Sequence, residues 1–168
     1  GPAGEKGATQ AAYYGKRVAV VERGAAPGGA AIAVSGVPVK ALRDAAVYLT
    51  GWSRRDVFGV GISLSPELVM DRLRAHVTDV VSTMSGAVRA NLVRHGIELI
   101  HGEGRLGPDR TVIVRDEAGA ERILRAGRIL IATGSRPHHL EELPIDDPGV
   151  HDSESILSVD RLPRELVR

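Results

Sequence analysis

Gly1-Pro-Ala-Gly4 and Glu22 are the first residues whose types and spacing could do chemistry. Glycines at the start of a helix let backbone amides approach a bound anion, where the aligned peptide dipoles favour negative charge. A carboxylate about 20 residues further on, at the end of the next strand, can accept hydrogen bonds from ribose hydroxyls. The pair of features describes a pocket for a dinucleotide. Other chemistries find less support. There is no cysteine, which removes thiol nucleophiles, thiolate metal sites and disulfide staples together. His138-His139 is too close in sequence for a helical metal pair and has no carboxylate at ligand spacing, so no metal site is expected. His101 and His151 read as loop histidines. No Gly-x-Ser-x-Gly elbow or Walker loop is present.

These residues need elements to position them. Gly4 to Gly15 is Ala-rich without an internal proline and suits a short helix packed closely on a sheet. Arg17-Val-Ala-Val-Val-Glu22 is a short apolar run ending in an acid, the pattern of a buried parallel strand. Residues 24–37, rich in Gly and Ala, read as a backbone-dominated loop, and Val39 to Thr50 as a helix with Pro38 in its first turn and Gly51 closing it. Residues 51–64 read as a connecting loop. Ser65-Pro66 is a helix start, and Val69, Leu73, Val77, Val80, Met84, Val88 and Leu92 advance by three or four residues toward a stop near Gly96.

The period then changes to two. Ile97 to His101, Thr111 to Arg115 and Glu121 to Leu124 read as the short strands of a meander. Arg128 to Gly134 reads as a further apolar strand running into a glycine turn, and a short helix is expected near Ser153 to Leu157 in the polar tail. This order is an α/β pattern in a single domain. Basic and acidic residues nearly balance, 22 against 21, so nothing marks a nucleic-acid partner. No apolar run is long enough for a bilayer and no signal peptide opens the chain, so a cytoplasmic protein is expected.

Several segments together resemble a known family. Glu22-Arg23-Gly-Ala-Ala-Pro-Gly28-Gly29 followed by Gly36-Val-Pro38-Val-Lys40 is similar to the Glu-Arg…Gly-Gly-x-Cys-x4-Cys-[Ile/Val]-Pro-Ser-Lys segment of the pyridine nucleotide-disulfide oxidoreductase superfamily. Ala31 and Gly36 stand at the two cysteine positions, and Val39 replaces the serine. Gly102-Glu-Gly104-Arg-Leu resembles the family's Gly-x-Gly-x-Phe turn. Ala132-Thr-Gly-Ser-Arg-Pro137 and Asp152-Ser-Glu-Ser-Ile-Leu157 resemble two more of its signatures. Val47-Tyr-Leu-Thr-Gly51 looks most like the soluble transhydrogenase branch, whose flavin passes hydride between NADPH and NAD⁺ with no dithiol relay.

The resemblance implies a partial Rossmann-like FAD-binding domain: a parallel sheet with a β-meander crossover. It implies that the first strand precedes residue 1, and that NAD(P)-binding and dimerisation domains follow Arg168. The 168 residues alone are then expected to be catalytically silent, inside a homo-oligomeric parent that binds FAD and nicotinamide nucleotides. Gly1 and Gly4 would line the FAD pyrophosphate, and Glu22, next to Arg23, would hold the ribose. Gly28, Gly29, Ala30 and Ala31 would lie along the extended middle of the cofactor, and Lys40 would approach the isoalloxazine. Gly104 would offer backbone to the adenine, and Thr133, Gly134 and Ser135 would contact the flavin side. No catalytic side chain is assigned. A reading from a different class is a non-catalytic nucleotide-binding remnant of a dihydrolipoamide dehydrogenase-like protein, which accounts at once for Ala31, Gly36 and Val39.

Overall fold

The computed structural model describes residues 1–53, 65–140, 142–145, 147–161, 163, 165 and 167. The chain divides into two compact units, Gly1–Ala31 with Thr83–Gly134, and Ile32–Ser82 with Ser135–Arg168.

The first unit begins with helix α1, Pro2–Tyr13, capped by Gly1. Pro2 stands where a helix has no use for an N–H, and Glu5 in the first turn complements the dipole. Gly15, at φ +71°, ends the helix and donates its N–H to the Ala12 carbonyl at 2.9 Å. Strand β1, Ala19–Glu22, follows. The long helix α4, Pro66–Arg94, ends in this unit. Gly96 at φ +66° lets Ile97 N–H reach the Leu92 carbonyl at 3.0 Å and its own N–H reach Val93 at 2.9 Å, the double closure of a Schellman stop. Leu92 and Ile97 on either side of it are both buried.

Strand β2, Glu98–His101, pairs in parallel with β1, from Ala19 opposite Glu98 to Glu22 opposite His101. Strands β3, Glu103–Gly107, β4, Thr111–Arg115, and β5, Glu121–Arg125, form an antiparallel meander. This corrects two sequence expectations. The strand ending at His101 leaves the meander for the parallel sheet, and the segment around Gly104, expected as a turn, supplies the meander's first strand. Gly102 is the physical reason. Its φ of +149° redirects the chain from one sheet to the other within one residue. A Cβ there would lie 2.7 Å from the Arg115 carbonyl oxygen, so no other residue fits.

Residues 128–134, expected as a strand, have no ladder partner among the described residues and are not assigned as one. An extended run becomes a strand only by pairing, and here Leu130 and Ile131 stay 63% and 64% exposed. One side of the run is covered by α1, where Gly4 meets Ala132 and Gly7 meets Leu130.

Helix α2, Ala30–Ala33, runs across the boundary at Ala31, and the second unit holds α3, Gly36–Ser53. Both correct the reading of residues 24–37 as loop. Alanine is the best helix former, and Ala30-Ala31-Ile32-Ala33 closes a turn with Ile32 buried. Helix α3 starts two residues before Pro38 and runs through Gly51, since one interior glycine costs only about 1 kcal/mol. Pro38 is fully buried and Ala41 nearly so. The remainder of the expected 51–64 loop, residues 54–64, lies outside the described residues. The N-terminal half of α4 carries buried Met70 and also Arg74, whose guanidinium donates to the Val159 carbonyl and to Asp160 Oδ1. The tail forms a 3-10 turn, Ser155–Ser158, two residues later than expected. Asp152 accepts the N–H groups of Glu154 and Ser155 and thereby fixes the start of that turn.

Candidate functional site

Within the first unit the backbone brings Gly1 and the Gly28-Gly29 loop into contact. Gly29 has φ +62°, and a Cβ on it would lie 2.6 Å from Gly1 Cα. Glycine is therefore required there by conformation and by space at once. Gly28, at φ +136°, is buried beside buried Pro27. At the same end of α1, the Gly1 carbonyl accepts the Glu5 N–H at 3.0 Å, while the amides of Ala3 and Gly4 lie in the first turn, beyond reach of helical acceptors. The product is a glycine-walled cradle at a helix N-terminus, suited to an anion such as a pyrophosphate. Gly4 lies within the first turn, its α-carbon turned toward Ala132, where a Cβ would sit 3.4 Å from the alanine methyl. Its absent side chain thus serves close packing of the helix, the third glycine's function in dinucleotide folds.

Glu22 is the last residue of β1 and half-buried. Its Oε1 accepts the Gly24 N–H at 2.9 Å, which fixes the carboxylate at the strand end. Its second oxygen has no partner among the described residues. A fixed carboxylate with one oxygen open is an acceptor for a vicinal diol. Arg23 is exposed, and Ala30 and Ala31 are half-buried just beyond the glycine loop.

Gly104 lies in β3 opposite Val114, and a Cβ on it would come 3.2 Å from Val21 Cγ1. It lets the meander settle against β1. Thr133 and Gly134 are exposed, with Gly134 at φ +78° turning the chain after the extended run. Lys40 and Ser135 belong to the second unit. The Lys40 ammonium is exposed and bonds Asp44 Oδ2 at 2.7 Å, one turn along α3. That bond, with Arg43 adding to it, holds the Asp44 carboxyl below its usual range. In the same unit Asp152 is held well below the carboxylate range, chiefly by the Ser155 N–H, then by His139 and the Glu154 N–H.

Sequence reasoning missed Gly102, whose N–H donates to the Glu22 carbonyl at 2.9 Å and so fastens the meander to the residue carrying the carboxylate. The signal was there in Gly102-x-Gly104, but the first glycine was read only as part of a turn. His101, at the end of the strand expected from Ile97, is the last residue of β2 and lies directly across from Glu22. Among the described residues no group of three or more His, Cys, Asp or Glu could hold a metal ion, and no helix is long and apolar enough to cross a membrane.

A parallel strand pair, a glycine-cradled helix N-terminus and an acid at the strand end define an α/β dinucleotide-binding fold. The pyridine nucleotide-disulphide oxidoreductase family matches residues 1–168, and the chain belongs to that family. Soluble pyridine nucleotide transhydrogenase of Mycobacterium tuberculosis (strain ATCC 25177 / H37Ra) is 36% identical over 168 residues, covering 99% of this chain and 36% of the relative. Dihydrolipoyl dehydrogenase 3 of Pseudomonas putida is 32% identical over 167 residues, again 99% of this chain and 36% of the relative. The chain thus spans about a third of the length of these relatives. Among solved structures, LpdA from Mycobacterium tuberculosis superposes with a TM-score of 0.77 at 24% identity, over 95% of this chain and 36% of that one. The HOCl-induced flavoprotein disulfide reductase RclA from Escherichia coli gives 0.72 at 24%, over 97% and 33%. At that identity the likeness speaks for the fold: a partial Rossmann-like domain.

Proposed function

We propose that this chain is the FAD-binding portion of a flavoprotein oxidoreductase that passes hydride from NADPH to NAD⁺ without a redox-active disulfide. NADPH gives up a hydride and becomes NADP⁺, and NAD⁺ gains it and becomes NADH, so no other electron donor or acceptor is required. The observation that carries the reading is the pair Ala31 and Gly36. They stand where dithiol members of the family hold cysteines, in a chain without any cysteine. Lipoamide or glutathione reduction requires a thiolate nucleophile and a second thiol beside the flavin. The identity to several transhydrogenases points the same way.

FAD, when bound, supplies the two-electron carrier. The chain's own residues bind and orient it. Gly1 and the amides that open α1 take the pyrophosphate, and Glu22 accepts the ribose hydroxyls beside Arg23. Gly28 to Ala31 line the extended middle, Gly104 offers backbone near the adenine, and Thr133, Gly134 and Ser135 contact the flavin side. Lys40 supplies positive charge toward the isoalloxazine, for which it must exchange its Asp44 partner. Nicotinamide binding and self-association belong to parts of the protein outside these residues.

The test is hydride exchange between NADPH and an NAD⁺ analogue by the protein that carries this chain, with no thiol substrate present. Exchange is expected. Reduction of lipoamide or glutathione disulfide at comparable rates would overturn the reading.

A further inference from the structure

His101 has no part in the site as read from sequence, yet the register sets it directly across from Glu22 in the parallel ladder. Residues paired in a ladder present their side chains to the same face, on strands about 4.8 Å apart. The His101 side chain is exposed and has no hydrogen-bond or ion-pair partner among the described residues. The next residue, Gly102, has no side chain to shield the ring. Its N–H ties to the Glu22 carbonyl at 2.9 Å, which holds the two strand ends at a fixed separation. Glu22 itself is clamped through Oε1 to Gly24, leaving its other oxygen open toward a ligand. The fixed acid and the free aromatic ring are thus neighbours at one strand-end level.

From this juxtaposition we infer that His101 is a binding residue for the adenosine end of the cofactor: its imidazole packs against the purine whose ribose Glu22 holds. The inference rests on the cofactor reading above and deepens it. One strand spacing is the order of the offset between a ribose and its base, so a ligand held on Glu22 carries its base to the adjoining strand. Imidazole offers a flat π-face there, and stacking of a base on an aromatic side chain adds to affinity.

The experiment is FAD affinity, by titration into the deflavinated protein that carries this chain, for wild type, His101→Ala, His101→Gln and His101→Phe. Melting of each flavin-free variant reports folding separately. Losing the aromatic face should raise the FAD Kd roughly tenfold in both His101→Ala and His101→Gln, while His101→Phe stays within about threefold of wild type. Flavin-free melting should be unchanged. Wild-type affinity in His101→Gln, or a loss in His101→Phe equal to that in His101→Ala, overturns the stacking role. Glu22→Ala, measured alongside, separates the two claims. If it too binds as wild type, the cofactor site itself is misassigned. If it is weakened while His101→Ala is not, only the role of His101 fails.

Discussion

The backbone N–H of Gly102 donates to the carbonyl of Glu22 at 2.9 Å. This one bond joins the parallel sheet to the antiparallel meander at the residue whose carboxylate is proposed to hold the ribose. It is made where Gly102 has a backbone angle that only glycine adopts at ease, φ +149°. Gly102→Ala should therefore cost roughly 2–4 kcal/mol, through strain and the clash with the Arg115 carbonyl. Gly119→Ala is the control. It also has positive φ, +84°, but opens into free space, so its cost should stay near 1 kcal/mol. Denaturant unfolding of the two variants checks the difference.

Gly29→Ala tests the cradle. The new methyl would meet Gly1 at the helix N-terminus and displace either the loop or the helix start. FAD affinity should fall by about tenfold or more, whereas the parallel pairing of β1 with β2 lies away from the substitution. Flavin titration with circular dichroism on the same sample should show lost affinity with the secondary structure kept.

Much of this arrangement was legible in the sequence. The helix from Pro66 could be read because a cap, a proline and a three-to-four period agree over many turns, and its stop at Gly96 is a local motif. Strand β1 and Glu22 could be read from an apolar run ending in an acid. The partner of β2 could not. A period of two shows that a strand has two faces but is silent on which edge it meets, and the switch of sheets rests on the torsion of Gly102. Strand β3 was hidden for a related reason: Gly104 and Gly107 carry no side chain to mark a face, and both are needed because Val21 and Thr111 fill the space. The strand expected at 128–134 shows the opposite failure, since apolar character alone cannot supply a pairing partner.

The tail offers a pH test. The folded Asp152 pKa lies below its unfolded value of about 3.9, because the carboxylate accepts the Ser155 and Glu154 amides and pairs with His139. Its contribution is thus fully present above the unfolded pKa and is lost as pH falls through the depressed folded value. Protection factors of the Ser155 and Glu154 amides, corrected for the intrinsic exchange rate, should hold at pH 5 and fall on acidification well below pH 4. Asp152→Asn should remove that pH dependence. Equal acid sensitivity in the variant would assign the transition to another group.

Electron transfer without a dithiol predicts chemical resistance. Arsenite and alkylating agents, which disable enzymes through paired or reactive thiols, should leave the proposed hydride exchange unchanged, since Ala31 and Gly36 offer them nothing to attack. Assays with and without pre-incubation of the NADPH-reduced protein decide this. Inactivation prevented by prior thiol protection would place an active cysteine elsewhere in the protein.

Calorimetric titration of FAD into wild type and Glu22→Ala tests whether Glu22 and the glycine cradle bind FAD. Loss of charge-assisted hydrogen bonds to the ribose should weaken binding by about 1–3 kcal/mol, roughly 5- to 150-fold, with binding to wild type at one flavin per chain. Equal affinity in the two proteins would remove Glu22 from the FAD site.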